Sequence, residues 1–273
     1  MKKVKVYVNP QWQGGADLVT FHGAKELIKM YLNGKRFVEL PVSADITEMA
    51  VTKNRIKGFD SLRRQMQTVH ARLLVDAPDK FFTLGGGCDA DVPGLVYLCE
   101  KYREDLTVLW LDAHGDLNAP EESSSALFYG MPLRSLMDDT CFGLLENRFP
   151  LSAPQIIHIG GRDFDRAELA FINRSGINSY AVRDIRSDNS LIRRAAGEIQ
   201  SKHIYIHLDL DVIDPKGFPN TPLPVDGGLY CKEVYRILEA FADRLVGLGI
   251  YEYAPSRTRN TFIEALSQFG LAL

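Results

Sequence analysis

The sequence predicts an α/β protein with a mostly parallel sheet that is covered by helices on both faces. Two observations predict it. Short apolar, β-branched and aromatic runs alternate along the chain with segments of helical periodicity. Several of these runs pass directly into acidic or glycine-rich loops, as strands do at the carboxyl edge of a parallel sheet. No repeat or linker marks a boundary, so residues 1–273 are expected to form a single domain.

The elements follow in order from the same signals. Eight strands are predicted, at Val4–Val8, Phe37–Val42, Phe81–Leu84, Leu106–Leu111, Gln155–Ile159, Asn178–Val182, His203–Leu208 and Val246–Tyr251. Helices are predicted at Ala24–Leu32, Asp60–Leu74, Val92–Tyr102, Arg166–Asn173, Leu191–Gln200, Cys231–Arg244 and Thr261–Phe269, with another starting at Met131-Pro132. Asn33-Gly34 ends the first helix. Leu62, Met66 and Val69 recur at helical spacing in the second.

Composition excludes several classes of function. The chain has 273 residues, a net charge of −3 and 25% charged residues, so nothing indicates nucleic acid or an anionic membrane as a partner. The N-terminus has too short an apolar run for a signal peptide. The four cysteines show no C-x-x-C spacing, which together with the missing signal favours reduced thiols and a cytoplasmic location.

Ligand-type residues follow two of the predicted strands. Asp112, His114 and Asp116 come directly after Leu106–Leu111, and Asp209 and Asp211 come after His203–Leu208. Alternate side chains at a strand end point the same way, so the two sets are expected to meet. Five such groups would repel one another without a cation, and oxygen plus imidazole suits a divalent ion such as manganese. The alternative is that they are caps and turn residues.

A glycine-rich loop follows another strand, in Gly85-Gly-Gly-Cys-Asp89. A phosphate-binding loop is one interpretation, but the third glycine of G-x-G-x-x-G is missing and no Walker lysine follows. Cys88 as a metal ligand at a strand end is the better interpretation. For the other cysteines we expect small buried residues.

These motifs together resemble those of the arginase and agmatinase family of ureohydrolases. The family carries G-G-D-H-S, D-A-H-x-D, S-x-D-x-D-x-x-D-P and a late E-x-x-P. This chain has, at the corresponding places, Gly85-Gly-Gly-Cys-Asp89, Asp112-Ala-His-Gly-Asp116, His207-Leu-Asp-Leu-Asp-Val-Ile-Asp-Pro215 and Glu252-Tyr-Ala-Pro255. The resemblance covers almost the whole chain. It implies a three-layer α/β/α fold and two manganese ions per chain.

The resemblance also assigns the metal ligands. One ion takes Cys88 and Asp116, the other takes His114 and Asp211, and Asp112 and Asp209 bridge them. For Asp214, a role in shaping the turn before Pro215 is a better interpretation than metal binding. His207 stands where the family has a small residue, and it is a candidate for orienting the site, against the alternative of a buried core histidine.

Two departures from the family pattern concern catalysis. The family's first histidine ligand is Cys88 here, and the proton-shuttle histidine of its H-G-M-P motif is Tyr129 in Tyr129-Gly-Met-Pro132. A phenol has a pKa near ~10 and is a poor base at neutral pH. The expected catalytic residues are Asp116, which carries a proton to the departing amine, and Glu252, which meets the guanidine-type group.

Further matches concern the substrate. Asn118 and Ser125 fall where arginases hold an amino-acid carboxylate, and Asp165 falls where they meet the α-amino group. Glu168 and Thr221 also stand at family positions near the substrate. Each would be called a solvated loop residue by itself. Together they favour an α-amino-acid substrate over a decarboxylated amine.

The expected function is therefore hydrolysis of Nω-hydroxy-L-arginine to hydroxyurea and L-ornithine, in antibiotic biosynthesis. The cysteine ligand and the missing shuttle histidine resemble the branch of the family that acts on hydroxyarginine. The alternatives are another ureohydrolase (agmatinase, formiminoglutamase or arginase) and a metal-free binding protein of the same fold. We expect a monomer, because the chain ends at Leu273 without the C-terminal tail that trimeric arginases carry.

Overall fold

A computed structural model of the chain describes residues 3–188 and 190–273. Its strands are β1 (Val4–Asn9), β2 (Val38–Glu39), β3 (Thr52–Lys53), β4 (Ile56–Lys57), β5 (Lys80–Gly85), β6 (Leu106–Leu111), β7 (Ile156–Ile159), β8 (Asn178–Tyr180), β9 (His203–Asp209) and β10 (Leu245–Tyr251). Within the described residues, eight of them form one sheet in the order β2-β1-β5-β10-β9-β6-β7-β8. Every neighbouring pair in that sheet is parallel. β3 and β4 form a short antiparallel hairpin.

The α-helices lie between these strands in the chain, except for the last one, which follows β10. They are α1 (Leu18–Tyr31), α2 (Phe59–Asp76), α3 (Val92–Tyr102), α4 (Pro132–Ser135), α5 (Arg166–Ser175), α6 (Val182–Ser187), α7 (Leu191–Glu198), α8 (Cys231–Phe241) and α9 (Thr261–Leu271). Their ends follow ordinary capping chemistry. Asp17 accepts a hydrogen bond from the Val19 amide at the start of α1, and Asn260 caps α9 in the same way.

Buried apolar side chains form one core on each face of the sheet in the described part of the chain. Successive strand residues point to opposite faces. Phe81 therefore packs with α2 and α3 on one side, in the core that holds Leu62 and Leu95. Phe82 packs on the other side, in the core that holds Leu27 of α1 and Ile263 of α9. The predicted three-layer α/β/α fold with a parallel eight-stranded sheet is confirmed.

Two predicted strands were too long, and one short hairpin was not predicted. The strand expected at Phe37–Val42 is reduced to Val38–Glu39, an edge strand that pairs with Tyr7 and Val8 before the chain reaches Pro41, which has no amide hydrogen to donate. The strand expected to reach Val182 ends at Tyr180, because a helical turn begins at Val182. The hairpin of β3 and β4 was not predicted, since each of its strands has only two residues.

The middle of the sheet sets the position of the candidate site. The four neighbours β5, β10, β9 and β6 come from distant parts of the chain, yet their carboxyl ends meet at one edge. The register places Leu111 beside Leu208 and Tyr251 beside Asp209, so the loops that follow begin at similar levels.

Among the described helices, none combines the length and apolar character that a bilayer crossing requires.

Candidate metal centre

The four central loops carry all the predicted metal ligands. They also carry the late glutamate of the sequence motif. The residues that these loops bring to one edge of the sheet are Cys88 after β5, Asp112, His114 and Asp116 after β6, Asp209 and Asp211 at the end of β9, and Glu252 after β10. A parallel sheet whose strands end in polar loops places function at this edge.

The loop after β6 is held in a tight, unusual conformation. Asp112 Oδ1 accepts a hydrogen bond from the His114 amide at 2.7 Å, which closes a turn over two residues. Asp116 has a φ of +55°, in the left-handed region that non-glycine residues seldom occupy. The buried His158 ring lies with Nε2 2.7 Å from the His114 carbonyl oxygen. Strained residues of this kind cluster at functional sites, and here Asp116 is a predicted ligand.

The loop after β9 repeats the same turn and binds the first loop. Asp209 Oδ1 accepts from the Asp211 amide at 2.7 Å. Asp211 Oδ1 accepts from the Ala113 amide at 3.0 Å, and its Oδ2 lies 2.8 Å from His114 Nδ1. Arg162 donates to the Asp211 carbonyl oxygen at 2.7 Å. The carboxylates of both strand ends are thus aimed at each other by backbone hydrogen bonds.

Cys88 and Glu252 complete the site from the other two strands. Glu252 also has a left-handed φ, +58°, and its amide donates to the Gly86 carbonyl at 2.8 Å. Its Oε1 accepts from the Cys88 amide at 3.1 Å. Cys88 Sγ lies 3.1 Å from Asp209 Oδ2 and 4.0 Å from Asp112 Oδ2. The thiol therefore lies among the carboxylates, as the metal-ligand interpretation of the glycine loop requires.

The ligand-type atoms fall into overlapping groups. Among the described side chains, three sets have one such atom each within 4.8 Å of the others: Cys88, Asp112, Asp116 and His207; Cys88, Asp209 and Glu252; and Asp112, His114 and Asp211. Asp112 and Cys88 each belong to two of these sets. A carboxylate shared between adjacent sets is what two bridged ions need.

Electrostatics also favours a cation here. Burial, and then the charge of Asp112, raises the pKa of Asp116 well above its ordinary value, and burial with Asp211 does the same for Asp209. Burial opposes ionisation of Asp112 too, but the hydrogen bond and charge of His114 keep its pKa below the ordinary value. Asp116 Oδ2 is buried without a hydrogen-bond partner among the described residues. Oxygen, imidazole and thiol donors fit a divalent transition ion such as manganese.

A cleft opens over these groups. A cavity of about 200 Å³ lies against Cys88 and Glu252. A second cavity, of about 320 Å³, is lined by Asn118, Ser125 and Asp165. The walls of both include His114, Asp116, Leu127, Tyr129 and Leu223. The two cavities therefore adjoin, with the metal-ligand groups at one end and the predicted amino-acid contacts at the other.

Comparison with known proteins places the chain in a family. Residues 24–269 match the Arginase family model. The chain belongs to the arginase family. An arginase from Staphylococcus aureus (strain MRSA252) is 32% identical over 209 residues, which cover 74% of this chain and 69% of that protein. The family comprises ureohydrolases, hydrolases that act on linear amidines.

Solved arginase structures share the fold. Entamoeba histolytica arginase in complex with L-ornithine superposes with a TM-score of 0.84 at 18% identity, covering 100% of this chain and 98% of the other. Bacillus caldovelox arginase gives a TM-score of 0.82 at 20% identity, covering 100% and 97%. At this level of identity the likeness establishes the fold.

Tyr129 marks a departure from the arginase pattern at the mouth of the metal end. It lines both cavities, and its amide donates to the Gly14 carbonyl at 3.1 Å. Burial raises the pKa of the phenol above its ordinary value, so the hydroxyl stays neutral near pH 7. A neutral phenol donates or accepts hydrogen bonds but does not replace a titrating imidazole as a proton shuttle.

The predicted amino-acid contacts lie in the second cavity. Asn118 Nδ2 donates to Asp165 Oδ2 at 2.9 Å, which joins two of them. Ser125 is exposed, and its Oγ accepts from the Leu127 amide at 3.2 Å. Asp165 is also exposed to solvent at the rim. The structure thus brings these three side chains to one end of the cleft, and their contact with a substrate stays a prediction.

Glu168 and Thr221 are less accessible to a substrate in the cleft than Ser125 and Asp165, because both are buried. Glu168 is buried, and its two oxygens accept from the amides of Leu117 (3.0 Å) and Asp165 (2.8 Å). These bonds fix the positions of the segments that carry other contacts. Thr221 Oγ1 is buried without a partner among the described residues, beside Pro222, which lines the metal-side cavity. Their roles as substrate contacts also stay predictions.

Sequence reasoning missed two supporting groups. Asp91 lies buried in the short helical turn after Cys88 and meets His207. Asp89 accepts hydrogen bonds from Gln11 Nε2 (2.5 Å) and the Gly14 amide (3.1 Å), which tie the N-terminal loop to the glycine loop. Burial raises the pKa of Asp89 to about 6. The available signal was the presence of two aspartates directly after a predicted strand, beside a candidate metal ligand.

Proposed function

We propose that this chain is a binuclear manganese amidinohydrolase that hydrolyses Nω-hydroxy-L-arginine to hydroxyurea and L-ornithine, in D-cycloserine biosynthesis. The observation that carries the proposal is the pair of departures in one cleft. Cys88 stands among the metal-ligand groups where arginases have histidine, and Tyr129 stands in the cleft where they have the shuttle histidine. This combination resembles the hydroxyarginine hydrolase of that pathway.

The donor groups of the site provide for two ions. Cys88 and Asp116 would hold one, His114 and Asp211 the other, and Asp112 and Asp209 would bridge them. The overlap of the donor sets at Asp112 supports a bridging role for that carboxylate. Bound manganese supplies a nucleophile at neutral pH by lowering the pKa of a water from about 15.7 toward about 7.

The chain's own residues handle the protons and the charge. The oxygen of water bonds to the amidine carbon, and the bond from that carbon to the ornithine Nδ breaks. Asp116 accepts a proton from the water and delivers it to the departing Nδ; its buried Oδ2 has no hydrogen-bond partner among the described residues and is available for this. Glu252, fixed through the Cys88 amide, lines the cavity and accepts hydrogen bonds from the N–H groups of the substrate head group.

The other end of the cleft holds the amino acid. Asn118 and Ser125 would bind the carboxylate, and Asp165 would bind the α-amino group, because an ammonium pairs with a carboxylate. Glu168 holds the Asp165 amide, and Thr221 lies behind Pro222 at the metal end. Agmatine has no carboxylate, so it would leave Asn118 and Ser125 without their ligand.

The N-hydroxyl group explains how the site manages without a shuttle histidine. The guanidinium of arginine has a pKa above ~12 and stays cationic. An N-hydroxyl withdraws electrons, lowers that basicity and makes a neutral form accessible near pH 7. Attack on a neutral amidine carbon disrupts less delocalised charge. The hydroxyl also offers a proton donor close to the leaving nitrogen, where the neutral Tyr129 does not replace an imidazole.

Steady-state kinetics tests the substrate. With manganese present and ornithine measured, we expect kcat/KM for hydroxyarginine to exceed that for arginine, mainly through kcat, because both substrates share the amino-acid end. Equal or better kcat/KM for arginine would contradict the proposal. Tyr129→His should raise arginine hydrolysis. Tyr235→His, on α8 away from the cleft, is the matched control.

L-Arginine is the second candidate substrate. It is favoured by the 32% identity to an arginase from Staphylococcus aureus. A panel that adds agmatine and formiminoglutamate separates the other ureohydrolase activities. Metal analysis separates all of these from a metal-free binding protein of the same fold, which would retain no manganese.

A further inference from the structure

His207 occupies a fully buried position that connects a carboxylate to the thiol of the metal centre. Its Nδ1 donates to Asp91 Oδ2 at 2.8 Å, and its Nε2 lies 3.3 Å from Cys88 Sγ. The His207 and Asp91 side chains are 0% and 1% exposed. Asp91 Oδ1 is engaged as well, since it accepts from the Tyr205 hydroxyl at 2.5 Å. Both ring nitrogens of His207 therefore have a partner, Asp91 at Nδ1 and Cys88 at Nε2.

Two aromatic rings fix the plane of that imidazole. Trp110 stacks on one face, with ring centroids 3.5 Å apart and planes 3° from parallel. Tyr251 stacks on the other face at 4.6 Å and 9°. Trp110 pairs directly with His207 across β6 and β9. The two rings hold the imidazole in the plane that directs Nε2 at the sulfur.

The surrounding backbone is built to admit this stack. A Cβ atom on Gly85 would lie 2.1 Å from the Tyr251 ring, and one on Gly249 would lie 2.4 Å from it. Both positions therefore accept only glycine while Tyr251 keeps its place. The stack of Trp110, His207 and Tyr251 depends on these two close approaches, which makes it a specific feature of the site and not loose core packing.

The position of Cys88 relative to His207 has a steric consequence. An imidazole is several atoms larger than a thiol, and at position 88 it would have to extend into space that His207 fills, 3.3 Å beyond the sulfur. The family motifs carry histidine at the position of Cys88 and a small serine at the position of His207. This chain has the small residue at 88 and the imidazole at 207.

We propose that His207 is a positioning residue, oriented by Asp91 and the two flanking rings, that fixes the Cys88 sulfur toward the ion. Cys88 and His207 are then an exchanged pair: the imidazole and the small residue have changed places relative to the family motifs, and each fits the site only when the other is present. The proposal rests on the metal site of the proposed function. It does not depend on which amidine is hydrolysed. Mutation of a residue that hydrogen-bonds to a metal ligand typically lowers metal affinity by about 10- to 100-fold.

Manganese binding measured without substrate tests the positioning role. We expect His207→Ser to raise the manganese dissociation constant of the Cys88 side of the site by about 10- to 100-fold. Asp91→Asn should change it in the same direction by less. In cobalt-substituted protein, the near-ultraviolet band from thiolate-to-cobalt charge transfer should shift or weaken in both variants. His70→Ser, which removes a buried histidine that contacts Glu100, is the control and should change neither readout.

A double-mutant cycle tests the exchange. Cys88→His by itself should bind manganese less tightly than the native chain, because two imidazoles compete for one space. Cys88→His combined with His207→Ser should recover affinity to within a few-fold of native. Additive losses in the double variant would overturn the exchanged pair, since additivity means that the two positions do not interact.

Three other experimental results also bear on the positioning role of His207. If His207→Ser keeps native manganese affinity and a native cobalt band, the positioning role is wrong. A manganese-bound crystal structure in which His207 Nε2 bonds directly to an ion would overturn it too. If the native chain binds manganese through Cys88 but does not hydrolyse hydroxyarginine, the proposed substrate fails while this inference stands.

Discussion

Removal of the proposed manganese ions should destabilise the protein strongly. The structure gathers the carboxylates of Asp112, Asp116, Asp209 and Asp211 in a buried site, where burial and mutual repulsion raise the pKa of three of them. Bound manganese would offset that repulsion in the folded state, and the unfolded chain has no preformed site. We therefore expect chelation with EDTA to lower the melting temperature.

The size of the effect follows from linkage. One ion present at 100 times its dissociation constant stabilises the folded state by about 2.7 kcal/mol. Two ions at the same excess contribute about 5 kcal/mol. For a chain of this size each kcal/mol moves the melting temperature by about 2–4 °C, so manganese should raise it by about 10–20 °C.

Scanning calorimetry with and without manganese measures this shift. Asp112→Asn keeps the shape of the shared ligand but removes its charge, so the shift should fall to about half or less. Asp105→Asn removes a carboxylate from the opposite end of β6, next to His203, and should retain the native shift. Equal melting temperatures with manganese and EDTA, or a full shift in Asp112→Asn, would refute the reasoning.

Further predictions concern single positions. Gly87→Ala should reduce manganese content and activity, because its Cβ would lie 2.6 Å from a carboxylate oxygen of Asp89. Gly197→Ala has open space around its Cβ, so it should instead stabilise α7 by up to about 1 kcal/mol, as measured by calorimetry. Asp165→Ala should raise KM for hydroxyarginine more than it lowers kcat, and the opposite split would contradict a binding role. Burial opposes ionisation of Asp76, but its hydrogen-bonded partners keep its pKa below the ordinary value, so its contribution to stability is present above pH ~3.9 and is lost as the pH falls. Denaturant titrations of Asp76→Asn should therefore show a weaker loss of stability in acid than the native chain.

Much of the candidate site could be read from the order of residues. Asp112, His114 and Asp116 directly follow an apolar strand, and Asp209 and Asp211 follow another, so their convergence needed only the parallel arrangement that alternating strands and helices predict. Cys88 was found in the same way, whereas Glu252 was found through its match to the late E-x-x-P motif of the family. These residues are informative because a strand end fixes where the next side chains lie.

The helices and long strands were predicted for a related reason. Their apolar positions repeat with the period of the element, as Leu62, Met66 and Val69 do in α2. The elements that were missed are short. β3 and β4 have two residues each, and α6 has six, which is too few for a period to stand out.

The sequence by itself determined the fold class, the ends of the central strands and the ligand chemistry, because periodicity and residue type are local properties of the chain. Only the tertiary structure decided what supports the ligands. His207 and Asp91 are 116 residues apart, and the Cys88 amide reaches Glu252 across 164. Such partners are chosen by the order of β5, β10, β9 and β6 in the sheet. Strand order depends on how all the helices pack at once, so no local pattern encodes it.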